Sequence, residues 1–178
     1  VITGPKIQLF SGAYADLSDL DTSLVSILDI AHSLAHICRF AGHCRKFYSV
    51  AEHSVIGSYQ CEPEAAYDML MHDCTEALIG DVSTPLKSLL PEYRLLEREL
   101  TWRLSEQFRF HYPFSPLVRE SDMRMLATER EQLLKPSREQ WACLENVKPY
   151  PVTLEGWPPE RAKQEFIDRY LDLTFMCR

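Results

Sequence analysis

Apolar residues return every three or four positions along most of this chain, a period that fits amphipathic helices and not strands. Between Ser26 and Cys38 they fall at Ile27, Ile30, Ala31, Leu34, Ala35 and Cys38, and between Ser49 and Gln60 at Val50, Ala51, Val55, Ile56 and Tyr59. Pro63 opens a third helical stretch that runs through Ala65, Ala66, Met69 and Leu70 to His72-Asp73. Further helices are expected from Pro91 (Tyr93, Leu96, Leu100, Leu104 inward), from Leu117 to Leu134 (Val118, Met125, Leu126, Leu133 inward) and from Pro159 (Phe166, Ile167, Tyr170, Leu171). Arg94, Glu97 and Arg98 are expected on a solvated face, and Trp141 to Pro159, with four prolines, as an irregular wrap. With 178 residues, 46% apolar and 25% charged, the expectation is an all-α, single-domain helical bundle. It spans 1–178, with a core of 26–134 and a C-terminal wrap and helix over 135–178.

A formal charge of −7 disfavours nucleic-acid polymers and anionic membranes as partners, since both need a positive surface field. No apolar run approaches the ~18 residues that a membrane span needs. Six cysteines without a CxxC pair fit reduced thiols better than a disulfide framework, so a soluble, cytoplasmic protein is expected.

Against this helical background stand His53, the adjacent pair His72-Asp73, and Asp122, with Glu76 and Asp81 just downstream of the pair. Two imidazoles and two carboxylates make a mixed nitrogen and oxygen donor set for a divalent ion. Imidazole suits Zn, Fe, Ni or Co, and carboxylate extends the range toward Mn and Mg. Four protein ligands on a six-coordinate ion leave positions for water and a phosphoryl oxygen, which is the arrangement of a hydrolytic metal site. If the helix continues past Asp73, Glu76 lies on the same side, four residues after His72 and three after Asp73. Basic residues cluster near these segments, notably Arg39, Lys87 and Arg119, and would let an anionic substrate enter an acidic protein.

The pattern of His53, then His72-Asp73, then Asp122 resembles that of the HD-domain metal-dependent phosphohydrolases. Ala51-Glu52-His53-Ser54, His72-Asp73-Cys74-Thr75-Glu76-Ala77, Gly80-Asp81, Thr84-Pro85-Leu86-Lys87 and Arg39-Phe40 are similar to the bacterial 5′-deoxynucleotidase (YfbR-like) branch. That branch includes phage relatives that remove triphosphate from deoxynucleoside triphosphates. The resemblance runs from about Ile30 to Thr128. It implies that His53, His72, Asp73 and Asp122 hold the metal, that Glu76 positions or activates the attacking water, and that Asp81 assists or holds the sugar. It also implies that Arg39, Lys87 and Arg119 contact phosphate while Phe40, Gly42 and Pro85 shape the nucleoside pocket. Family members often have Trp at Phe40 and a bulkier residue at Gly42, so base selectivity is expected to be looser here. The implied activity is release of phosphate from deoxynucleoside monophosphates, or of triphosphate from the triphosphates, by a cytoplasmic homo-oligomer acting on a small deoxynucleotide.

Two other classes share these residues: a nucleotide sensor with little turnover, and a structural subunit with a vestigial site. Both predict tolerance of change at Glu76. A cyclic-dinucleotide phosphodiesterase is disfavoured because its glycine-tyrosine-proline signature is absent. His32, His36 and His43 suggest a second metal site, but no acidic or thiolate spacing closes a zinc set around them. On spacing alone Phe40 and Tyr48 are packing residues, and only the resemblance moves Phe40 toward a pocket.

Overall fold

A computed structural model describes residues 4–21 and 24–176 and is mostly helical. A hairpin of β1 (Lys6–Gln8) and β2 (Tyr14–Asp16), paired antiparallel with Ile7 opposite Ala15, leads into α1 (Ile27–His36). Then follow α2 (Val50–Gln60), α3 (Ala66–Met71), α4 (Glu76–Ile79), α5 (Thr84–Lys87), α6 (Pro91–Phe108), α7 (Pro116–Leu133) and α8 (Pro159–Met176). The all-α expectation holds, with the hairpin as an addition whose three-residue strands are too short to show an alternating pattern.

The helix starts follow from local chemistry. Ser26 caps α1 by accepting from the Asp29 amide, and Asp29 returns the favour to the Ser26 amide, a reciprocal box that satisfies two otherwise unpaired donors. Ser49 caps α2 through the Glu52 amide, and Ser115 caps α7, whose first residue is Pro116. Arg109, left-handed at φ 62°, closes α6.

α2 is the central element. Every residue from Val50 to Ser58 is buried, so its apolar residues are not confined to one stripe, as suits a helix enclosed on all sides. α1, α3, α7 and α8 pack around it. Gly57 allows α3 to approach closely, since a Cβ there would meet Met69 Cε at 2.4 Å. Ile30, Leu34, Met69, Leu70, Leu100, Leu104, Met125, Leu133 and Phe166 fill one continuous core.

The segment before α8 is irregular but tightly held. Tyr150 donates its amide to Thr128 Oγ1, Gln132 pairs with the backbone of Val152 and Leu154, and Lys46 Nζ donates to the Leu154 carbonyl. The fully buried Glu52 carboxylate accepts from three consecutive amides, Glu155 (3.2 Å), Gly156 (2.9 Å) and Trp157 (2.6 Å). Gly156 is needed there: its φ is +75°, and a Cβ would stand 2.6 Å from the Phe47 carbonyl oxygen. Five cysteines among the described residues are free thiols, and Cys177 lies outside the described residues. No helix among the described residues is long and apolar enough to cross a membrane.

Candidate metal centre

Three helical segments bring their donors to one point. His53 comes from the middle of α2, His72 from the end of α3 and Asp122 from the second turn of α7. One ligand atom from each lies within 4.8 Å of the others. His53 Nε2 is 3.3 Å from His72 Nε2 and 3.4 Å from Asp122 Oδ1, while His72 Nε2 is 3.8 Å from Asp122 Oδ1. Asp73 Oδ2 adds a fourth corner, 3.2 Å from His72 Nε2 and 3.7 Å from His53 Nε2. Of the four residues expected to bind a metal, His53, His72 and Asp122 therefore form one mutually close group, and Asp73 lies beside its two histidines.

The chemistry of the two imidazoles fits an ion. His53 Nδ1 is 2.6 Å from Glu129 Oε1, and His72 Nδ1 is 2.7 Å from the Met69 carbonyl oxygen. Each Nδ1 faces an acceptor and so carries the proton, which leaves each Nε2 presenting a lone pair to the common centre. Two lone pairs 3.3 Å apart repel unless a cation or proton lies between them. Donors held at about 2.1 Å from a tetrahedral centre stand about 3.4 Å apart, close to the spacings seen here. Without an ion, burial and the Arg39 charge oppose protonation of His53, but Glu129 and Asp122 outweigh them and lift its pKa to about 9. Asp122 moves the opposite way: burial disfavours its charge, yet hydrogen bonds and attraction from the two histidines hold its pKa well below the usual carboxylate range.

A second layer of buried charge orients the first. Glu129, fully buried, spans His53 on one oxygen and the guanidinium of Arg39 on the other, at 3.2 Å to Nε and 3.1 Å to Nη2. Arg39 Nη1 reaches on to Asp73 Oδ2 at 3.4 Å. Burial works against the Arg39 charge, but Glu129 and Asp73 more than offset it and raise its pKa. Arg39 thus ties two ligand-bearing segments together and has spent most of its donors doing so. Glu129 escapes the sequence reading although a signal exists: it lies seven residues, two helical turns, after Asp122 and so on the same face of α7.

The helix that carries His72 does not continue unbroken past Asp73. α3 ends at Met71 and α4 begins at Glu76, joined by a tight turn in which Cys74 donates to Met71 and Glu76 to Asp73. Such three-residue spacing eclipses side chains at i and i+3, so Asp73 and Glu76 share one edge without a continuous helix between them. Glu76 is buried, its Oε2 lacks a hydrogen-bond partner among the described residues, and burial together with Asp73 and Asp81 raises its pKa well above the usual range. Asp81, half-buried beyond α4, is raised chiefly by burial, against the opposing pull of Arg39.

The other expected contacts are placed unevenly. Lys87 is 2.5 Å from Glu97 Oε1 and 3.8 Å from Glu76 Oε1, so it faces the acidic edge of the site but is already paired. On the face expected to be solvated, Arg94 and Arg98 are exposed and Glu97 is half-buried, and Glu97 and Arg98 also line a cleft of 180 Å³ that reaches His72, Asp73 and Glu76. Phe40 and Ala41 take left-handed φ of 56° and 50°, and Gly42 follows at 80°. This strained turn sets Phe40 near Trp141, ring centres 6.5 Å apart, with the Arg39 guanidinium 5.6 Å from the Phe40 centre. Gly42 is open on its Cβ side, Pro85 is exposed at the start of α5, and Arg119 is exposed one turn before Asp122 with no ion pair among the described residues. The His32 and His36 rings lie tilted with centres 4.2 Å apart, Phe10 stacks on His32 at 3.8 Å, and these histidines form no metal-ligand group among the described residues.

No protein-family model matches the chain. An uncharacterized protein of Rhodobacter capsulatus is 28% identical over 182 residues, 92% of each chain. The uncharacterized protein YfdR of Escherichia coli strain K12 is 38% identical over 170 residues, covering 94% of this chain and 95% of its own. Identity at that level over nearly the whole of both molecules means that the chain belongs to the family of E. coli YfdR.

Proposed function

We propose that this protein is a divalent-metal-dependent phosphohydrolase of small 2′-deoxynucleotides, releasing phosphate from monophosphates. The observation that carries the reading is the free, buried Oε2 of Glu76 on the same edge as Asp73, beside the His53, His72 and Asp122 donors. A carboxylate there, raised in pKa and with one oxygen free of hydrogen bonds, is suited to take the proton from an attacking water. The substrate class rests on the resemblance of Arg39-Phe40, the His72 to Ala77 block and Thr84 to Lys87 to the deoxynucleotidase branch of HD-domain enzymes.

His53, His72, Asp73 and Asp122 would hold the ion. Its contribution when bound is to polarise a phosphoryl group and make water acidic. The rest is the work of the chain. Glu129 and Arg39 fix the His53 ring and the Asp73 carboxylate, Glu76 accepts the proton, and Lys87, 3.8 Å away, restrains the charge of Glu76. No covalent intermediate is required.

The test is product analysis with metal-stripped protein restored with Co, Mn or Zn, given dAMP, dATP, dGTP and the matching ribonucleotides. Phosphate from dAMP is the expected result, and Glu76→Gln should bind the ion normally while losing about 10²–10⁴-fold in turnover. Deoxyadenosine with intact triphosphate would move the activity to triphosphohydrolysis. Absence of turnover with every substrate would overturn the proposal in favour of a binding role.

A further inference from the structure

The environment of the metal centre is short of free positive charge. Asp73, Glu76 and Glu97 all face the cleft beside it. Of the basic residues expected to meet a phosphate, Arg39 is committed to Glu129 and Asp73, and Lys87 to Glu97 and Glu76. Both are internal to the site's own charge balance. Arg119 is free but does not line the cleft.

Arg98 does line it. It sits on α6 next to Glu97, is exposed, and makes no ion pair or hydrogen bond through its side chain among the described residues. The cleft has the metal-binding residues His72 and Asp73 together with Glu76 at one end, and its remaining lining includes Tyr112 and Phe114. Phe114 meets the His72 ring edge-on at 6.4 Å and Tyr112 meets Phe114 edge-on at 5.3 Å, so the aromatic wall is continuous with a metal-binding residue.

We propose that Arg98 is the phosphate-binding residue of this cleft, which takes a compact phosphoryl group, the terminal phosphate of a monophosphate or the polyphosphate tail of a triphosphate. This deepens the phosphohydrolase reading and rests on it. Three features carry the assignment. A guanidinium offers two parallel N–H donors matched to phosphate oxygens, and here those donors are unspent. A volume of 180 Å³ falls below the about 300–1,000 Å³ of pockets that enclose whole organic ligands, so it suits a compact anion and leaves the nucleoside outside. An anion entering among three carboxylates needs a counter-charge that the site's paired cations do not supply.

The experiment is calorimetric titration of inorganic phosphate and inorganic triphosphate into wild-type, Arg98→Gln and Arg98→Lys proteins, each with and without Co²⁺, with deoxyadenosine as an uncharged control. Arg98→Gln should weaken phosphate binding on the order of 10–100-fold, the usual cost of losing a charge-assisted hydrogen bond pair, and Arg98→Lys should weaken it less. Deoxyadenosine binding should not change. Loss confined to triphosphate identifies a polyphosphate tail as the occupant, and loss for both probes identifies any terminal phosphoryl group. Equal affinity of wild type and Arg98→Gln, or no binding by either, overturns the assignment. Because binding is read without turnover, the two readings fail separately. Hydrolysis that is indifferent to Arg98 removes this residue's role and keeps the enzyme; Arg98-dependent phosphate binding without hydrolysis does the reverse.

Discussion

Glu129→Gln tests the second layer directly. The native carboxylate is fully buried and divides its two oxygens between His53 Nδ1 at 2.6 Å and Arg39 at 3.1 and 3.2 Å. Removing one partner of a buried ion pair costs about 3–5 kcal/mol, because the remaining charge stays desolvated. The glutamine amide keeps one acceptor, and Arg39 keeps Asp73 at 3.4 Å, so the lower end, about 3 kcal/mol, applies. For a chain of this size that is a fall of roughly 6–12 °C in Tm. The decisive assay is a double-mutant cycle in urea with Arg39→Met. If the pair is coupled, the double variant should be less destabilised than the sum of the two singles by about 1–3 kcal/mol. Additivity within about 0.5 kcal/mol would refute the claim that Glu129 and Arg39 act as one unit. If the proposed ion binds at His53, a carboxylate orienting that imidazole contributes about 10–100-fold to affinity, so Co²⁺ titration of Glu129→Gln supplies an independent reading.

Two further outcomes follow from groups outside the donor set. Asp29 is buried, which opposes its charge, but bonds from Ser26 and the Ser11 amide prevail and lower its pKa. A carboxyl depressed on folding stabilises above its unfolded pKa of about 3.9 and loses that contribution as pH falls toward the folded value. Asp29→Asn should therefore cost about 1–2 kcal/mol at pH 7 and flatten the acid side of a stability-against-pH curve below about pH 4; an unchanged acid limb would count against the capping box. Among the described thiols, exposed Cys143 should react first with iodoacetamide at pH 8. Burial pushes Cys44 up to about 12 and Cys61 to about 11 and raises the fully buried Cys74, so peptide mass spectrometry should find these three at least on the order of a hundredfold slower. Equal labelling in the folded protein would contradict the burial of Cys74 and the partial burial of Cys44 and Cys61.

The elements most legible in the sequence are those whose own side chains specify them. Ser26 with Asp29 and Ser49 with Glu52 mark the starts of α1 and α2 within a residue, and Pro91, Pro116 and Pro159 stand at the first turns of the long helices. The clustering of His53, His72, Asp73 and Asp122 was also readable, because few other reasons place those residue types in that order. Three features were not. The break between Met71 and Glu76 has no Gly or Pro to announce it and arises from tight backbone bonding around the two metal-facing residues. Glu97 and Arg98 look like solvated charges in a helical pattern, and only the packing of the His72–Glu76 turn and the segment after α6 around them makes a cleft. Arg39 reads from sequence as a free phosphate ligand because its partner Glu129 is 90 positions away. Long-range ion pairs leave no local periodicity, and they decide which cations remain free.

The three amides that close on Glu52 have a consequence for how the molecule is made. Trp157 stands 105 positions after Glu52. A ribosome adding about 5–20 residues per second needs roughly 5–20 s to cover that interval. Throughout it, the helix that carries His53 has an acidic side chain next door with none of its final donors, and the Glu129 support arrives only late in the same interval. The arrangement is therefore finished only by the last third of the chain, which supplies Asp122 and Glu129 on one helix and then the 155–157 turn. An arrest of synthesis before the 155–157 turn leaves a polypeptide that contains all four candidate donors while Glu52 still lacks its three amide partners.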